Sequence, residues 1–383
     1  MLRVIGNLIR GAGSITLGLA LGTLLTEATL RVFEGTPLWR VMPVAEVSLY
    51  APSPTAGYAH RPGAGGVWLR EQRVKHQVNS QGLLDRKVAP EKPAGAYRVF
   101  VAGDSLTEAL QVRRPDTFVR LSENQLRRDG LAVQLVNLGI AGATPAVMAA
   151  RTASFASLAP DLLVYLVGWS EFKALTGDDS AYAAYTRHGN GWQRTDRFRR
   201  TFSYRFRASP AGQWMYRLLD TSRVAALANS RKNIGWLAEL ELAGARHAST
   251  KPTCASAASL GAAVQVWSAA SDSAPAHRVR AFLEDVEAQV AAVDAAATII
   301  VNGLSDQCPN ATRARSDLVE EMRAQASNYA IPIVDWDAQM GVDSTTRRAL
   351  NGFGITRGYG HLNEVGHKRY ADALTRTIVD SLE

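Results

Sequence analysis

The chain has 383 residues, of which 46% are hydrophobic and 20% charged. That composition buries a sizeable core and excludes a disordered, collagen-like or disulfide-stapled polypeptide. Lys+Arg 43 against Asp+Glu 35 leaves a formal net charge of +8, an excess suited to an anionic polymer, a membrane surface or nucleic acid. The two cysteines, Cys254 and Cys308, form no C-x-x-C pair. A cysteine-built zinc site is thereby excluded, while one structural disulfide stays open in an oxidising compartment.

In chain order, Arg3 and Arg10 precede an uncharged run from Gly11 to Leu25. A positive start followed by an apolar stretch predicts a signal-anchor helix over residues 1–33. No small-x-small cleavage signal follows it, which favours an uncleaved anchor over a cleaved signal. Glu27 and Arg31 stand at i,i+4 spacing and can neutralise one another as the helix continues. The positive-inside bias then places the rest of the chain outside the membrane, on the periplasmic or cell-surface side.

Residues 34–94, rich in Pro and Gly, read as a membrane-proximal lead-in with short strands at Gly66 to Leu69 and Val74 to Val78. From residue 95 to 383 the pattern becomes an alternation of strand and helix. Tyr97 to Ala102, Leu131 to Leu138, Leu162 to Val167, Thr298 to Val301 and Ile331 to Trp336 are predicted strands. Helices are expected over Thr117 to Arg128, Pro145 to Leu158, Arg278 to Ala296, Arg313 to Asn328 and Glu364 to Leu382. This rhythm predicts a three-layer α/β/α domain with a parallel sheet. An insertion over 177–276 interrupts it and is expected to form a helical cap, with helices near Gly212 to Leu227 and Asn233 to Leu242. Its Arg187, Arg194, Arg197, Arg199, Arg200, Arg205 and Arg207 lie among aromatic residues. They suit anionic glycan or phospholipid headgroups, and an extracytoplasmic location argues against nucleic acid.

In open α/β sheets, ligands sit beyond the carboxyl ends of the strands. There the first strand ends in Gly103-Asp104-Ser105-Leu106, the second in Asn137-Leu138-Gly139-Ile140-Ala141-Gly142 and the third in Gly168-Trp169-Ser170-Glu171. A serine opening a helix has backbone N–H groups beside it to hold an oxyanion. Gly360-His361-Leu362-Asn363 opens the last helix, so His361 is the candidate general base for Ser105. Asp104 reads as a local backbone cap, and Asn137 as either a cap of its loop or a substrate contact. The remaining histidines show no H-x-x-x-H or H-E-x-x-H spacing, so neither metal nor cofactor is expected.

These residues resemble the GDSL-type esterases of the SGNH hydrolase superfamily, whose nucleophile motif Gly103-Asp104-Ser105-Leu106 matches letter for letter. The resemblance implies Ser105 as nucleophile, His361 as catalytic histidine, and Ser105, Gly142 and Ser170 around the oxyanion. The lead-in and anchor resemble membrane-anchored members acting on extracytoplasmic glycans or acyl chains. Two positions depart from the pattern: Ser170 replaces the family's asparagine, and Gly358 stands where it places an aspartate three residues before the histidine. The orienting acid is then expected elsewhere, at Asp337, Asp335 or Glu364. Three readings follow: an ester hydrolase acting on O-acyl groups of a carbohydrate, an O-acetyltransferase modifying a polysaccharide, and a retired binding or assembly module.

Overall fold

The computed structural model describes residues 2–33, 49–68, 71–72, 74–168, 182–189, 191–222, 224, 274–302, 319–342, 346, 349–353 and 361–382. Trp169, Ser170, Glu171, Cys254, Cys308, Gly358 and the expected helix Asn233 to Leu242 lie outside them.

Helix α1 (Leu2–Phe33) carries an apolar segment, Gly13–Leu30, long and hydrophobic enough to cross a membrane, with none of it buried against the rest of the protein. Leu17, Leu19, Leu21, Leu24 and Leu25 are more than half exposed. Near its end, Glu27 accepts hydrogen bonds from Ser222 Oγ (3.1 Å) and the Val224 N–H (3.0 Å), whereas the Arg31 side chain lies outside the described residues.

The lead-in folds as two antiparallel hairpins. Strands β1 (Tyr50–Ser53) and β2 (Gly57–His60) form the first, and β3 (Gly65–Trp68) and β4 (Val74–Gln77) the second. Leu49, Trp68, Val74 and Val78 pack with Leu110, so the lead-in is part of the domain's core rather than a spacer.

The main sheet has five strands: β5 (Tyr97–Ala102), β6 (Val133–Asn137), β7 (Leu162–Gly168), β10 (Ala296–Asn302) and β11 (Ile333–Asp335). Their order is β11-β10-β7-β5-β6, and every neighbouring pair is parallel. All seven residues of β7 are buried, as an unbroken apolar run covered on both faces requires. Side-chain alternation divides the core in two. Phe100, Val136, Tyr165 and Ile299 face Val147 and Phe282, while Val99, Leu135, Val164 and Ile300 face Phe118, Leu126 and Leu374. The second face is built by α3 (Phe118–Arg128) and α10 (Glu364–Asp380), and the first by α4 (Pro145–Ser154) and α7 (Ala274–Val293).

Side-chain caps set the helix starts. Thr117 accepts from the Arg120 N–H, Thr144 from Val147 and Asn363 from Val365 and Gly366, satisfying donors that the first turn leaves unpaired. Two sequence expectations are corrected. Trp336 begins helix α9 (Trp336–Met340) instead of ending a strand, because Asp335 caps the Ala338 N–H. The described part of the insertion is not purely helical: it opens with an antiparallel hairpin of β8 (Ala184–His188) and β9 (Gly191–Thr195) before α5 (Phe202–Ala208) and α6 (Pro210–Thr221). Within the described part of the Arg313 to Asn328 stretch, residues 319–326 are helical and form α8.

Candidate active site

Strand β5 ends at Ala102, and Ser105 is the first residue of the one-turn helix α2 (Ser105–Glu108). Asp104 caps it by accepting the Leu106 N–H at 2.9 Å, the local role its sequence position suggested. The turn is tight because a Cβ on Gly103 would meet Thr107 Oγ1 at 2.1 Å. It stops after one turn because Ala109 takes the left-handed conformation, φ 58°. Ser105 thus stands at the carboxyl edge of a central strand, partly exposed.

The loop after β6 is clamped to this turn. Asn137 donates from Nδ2 to the Thr107 carbonyl at 2.6 Å and accepts the Gly139 N–H at 2.8 Å, and the Ile140 N–H donates to the Gly103 carbonyl at 3.1 Å. At Gly139 a Cβ would lie 2.3 Å from the Glu108 nitrogen, so only glycine lets the two backbones approach. The loop ends in Gly142, at φ 71° and exposed. Ser170, the third expected oxyanion donor, lies outside the described residues.

His361 precedes α10, and the carbonyl of its neighbour Leu362 accepts from Gln111 Nε2 at 3.1 Å, six positions beyond Ser105 in the chain. Its Nδ1 lies 2.6 Å from Glu71 Oε1. The Glu71 side chain is 1% exposed and that of His361 18%. The other Glu71 oxygen accepts from Trp68 Nε1 at 2.5 Å, and the Trp68 indole stands edge-on to the imidazole. A buried carboxylate on Nδ1 fixes the proton there and leaves the Nε2 lone pair to take a proton.

The three acids expected for this role are elsewhere. Asp335 caps α9, Asp337 is buried within α9, and Glu364 accepts from Gln72 at 3.0 Å. None of them makes the bond to Nδ1. Glu71 sits in the β3–β4 turn, 290 positions before the histidine, and no local spacing rule connects the two. Its neighbour Trp68, an aromatic donor three residues earlier, is the only sequence signal near it.

A second polar cluster, not singled out in the sequence, lies at the turn that carries Ser105. Glu108 Oε1 accepts from Tyr50 (2.7 Å) and pairs with His60 Nε2 (2.6 Å), while Oε2 accepts the Ala141 N–H (2.9 Å). Arg151 donates to His60 Nδ1 (2.9 Å) and to the Leu138 carbonyl (2.7 Å). Arginine can only donate, so Nδ1 accepts and the His60 proton resides on Nε2, facing Glu108. Burial pulls the His60 pKa below its ordinary value, with the Arg151 charge adding to it. Burial likewise brings Arg151 down to about 10, opposed by Glu108. Among the described residues no group of three His, Cys, Asp or Glu side chains is placed to hold a metal ion.

No family model matches the chain, and no curated sequence does. Several solved structures are similar to it at low sequence identity. The crystal structure of TesA is 14% identical and covers 74% of this chain and 98% of its own, with TM-score 0.38. A G-D-S-L family lipolytic protein from Veillonella parvula DSM 2008 is 12% identical over 74% and 98%, with TM-score 0.39. The family 3 carbohydrate esterase of Clostridium thermocellum is 10% identical over 75% and 98%, with TM-score 0.37.

Proposed function

We propose that this protein is a serine ester hydrolase in which Ser105, His361 and Glu71 act together. Ser105 Oγ attacks the ester carbonyl as His361 Nε2 takes its proton, and Glu71 holds the imidazole and stabilises the imidazolium that forms. The backbone N–H groups of Ser105 and Gly142 receive the developing oxyanion. His361 then returns the proton to the leaving alcohol. Water attacks the acyl-enzyme in the second half-reaction, with His361 again as base, and Ser105 is regenerated.

The observation carrying this reading is the buried Glu71 carboxylate on His361 Nδ1, which answers the loss of an acid at position 358. With its other oxygen held by Trp68 Nε1, that carboxylate orients the imidazole and is placed to stabilise an imidazolium. The substrate class rests on the apolar helix α1 and the arginines of the insertion. Together they support an O-acylated carbohydrate outside the cell membrane, with α1 as the anchor. Turnover of p-nitrophenyl acetate by the full chain in detergent tests the chemistry. Ser105→Ala is expected to reduce it to the uncatalysed background, and turnover equal to the wild type in that variant refutes the reading.

A further inference from the structure

Resting on that reading, the structure assigns Tyr58 of the lead-in as the positioning residue that aims the Gly142 N–H at the oxyanion. Gly142 follows Ala141 in a β-turn closed by the Ala143 N–H donating to the Ile140 carbonyl at 3.2 Å. Gly142 has φ 71° while Ala141 is not among the residues of positive φ. That combination defines a type II turn, in which positive φ falls on the third residue.

Type I and type II turns differ mainly in their central peptide, which is rotated by about half a turn between them. In this turn the central peptide joins the Ala141 carbonyl to the Gly142 N–H. A trans peptide is planar, with its C=O and N–H on opposite sides. Whatever holds the Ala141 oxygen therefore dictates where the Gly142 N–H points. Glycine at the third position populates both signs of φ almost equally well, so the turn itself does not lock the choice.

Tyr58 supplies the lock. Its hydroxyl donates to the Ala141 carbonyl at 2.7 Å, on the side away from the Gly142 N–H. Among the described residues nothing accepts the Gly142 N–H, which is left available to a ligand. The preceding peptide is held as well, since Glu108 Oε2 accepts the Ala141 N–H. Tyr58 is kept in place by edge-on contacts with Tyr50 and Tyr182. Its burial and the Glu108 charge raise its pKa, so the hydroxyl remains a donor. A Cβ at Gly142 would meet the Tyr58 hydroxyl at an ordinary 3.7 Å. Glycine is thus required there by conformation, not by space.

The experiment compares p-nitrophenyl acetate kinetics of the full chain and of Tyr58→Phe, per native molecule as counted by near-UV circular dichroism. Without the hydroxyl the peptide can reverse and withdraw its donor. The expected result is a fall in kcat of about 10²-fold with KM little changed, the magnitude of losing one oxyanion donor. Gly142→Ala, which disfavours positive φ and so favours the reversed peptide, is expected to lower kcat in the wild type and add little in the Tyr58→Phe background, because both changes undo one orientation. A Tyr58→Phe kcat equal to the wild type, or losses that add fully in the double variant, overturns the assignment. The two hypotheses fail differently. If Ser105→Ala remains active, the esterase reading falls, whereas an inactive Ser105→Ala beside an unaffected Tyr58→Phe removes only the role of Tyr58.

Discussion

Glu71 Oε1 and His361 Nδ1 lie 2.6 Å apart although 290 positions separate them in the chain. The pair joins the turn of a lead-in hairpin to the loop before the last helix. It makes the segment between α1 and the sheet a contributor to the candidate site. The carboxylate is buried and held by Trp68 Nε1, so its orientation is fixed before substrate arrives.

Replacing that acid separates it from the other candidates. Glu71→Gln is expected to lower kcat by about 10⁴-fold with a small change in KM, as when the acid of a serine triad is removed. Glu71→Asp keeps the charge on a shorter stem and is expected to recover part of the loss. Asp335→Asn keeps the α9 cap and is expected to leave turnover within about twofold. Steady-state kinetics on p-nitrophenyl acetate reads all three.

Stability is expected to fall in mild acid. His60, His76 and His367 are all buried, and burial lowers the pKa of each, that of His367 to about 3 with a further contribution from the His361 charge. A histidine whose folded pKa is depressed binds its proton more readily when unfolded. The stability it contributes is complete above the unfolded value, about 6.5, and is lost as pH falls below it at up to about 1.4 kcal/mol per pH unit per histidine. Thermal midpoints measured between neutral pH and pH about 5 should decline. Substituting His367→Gln should flatten that decline, and an unchanged slope would contradict the assignment.

Arg98 is expected to be a folding determinant rather than a site residue. It is 0% exposed and its guanidinium donates to the Ala89, Pro90 and Leu158 carbonyls and to Gln134 Oε1. It stitches the end of the lead-in and the loop before β7 to the central strand. Arg98→Leu leaves the buried Leu158 carbonyl unpaired and should cost about 1–3 kcal/mol in urea unfolding. A change below about 1 kcal/mol would show that water replaces the guanidinium.

What the sequence reveals of this protein follows the range of the forces involved. Strands β5 and β7 are legible because burial on both faces demands apolar runs, and Val99 to Ala102 of β5 and Leu162–Gly168 supply them. Helix α3 shows its apolar stripe plainly, and Thr117 its cap. The β8–β9 hairpin leaves no such trace, since most of β9 is exposed and polar. Ser105 and its turn can be found from local motif, because a nucleophile at a strand end is a local arrangement. Glu71, Tyr58 and Glu108 act on partners distant in the chain or through backbone groups, and a hydrogen bond to the Ala141 carbonyl imposes no residue type on position 141. Asp335 caps α9 and Asp337 is buried within it, while the carboxylate on His361 Nδ1 is that of Glu71.

The chemical reactivity of Ser105 tests the central claim most directly. The full chain in detergent is treated with a fluorophosphonate, and the adduct is located by peptide mass. The account predicts one adduct, on Ser105, formed rapidly in the wild type and far more slowly in His361→Ala and Glu71→Gln. An unlabelled Ser105, or labelling at the same rate in all three proteins, would contradict it.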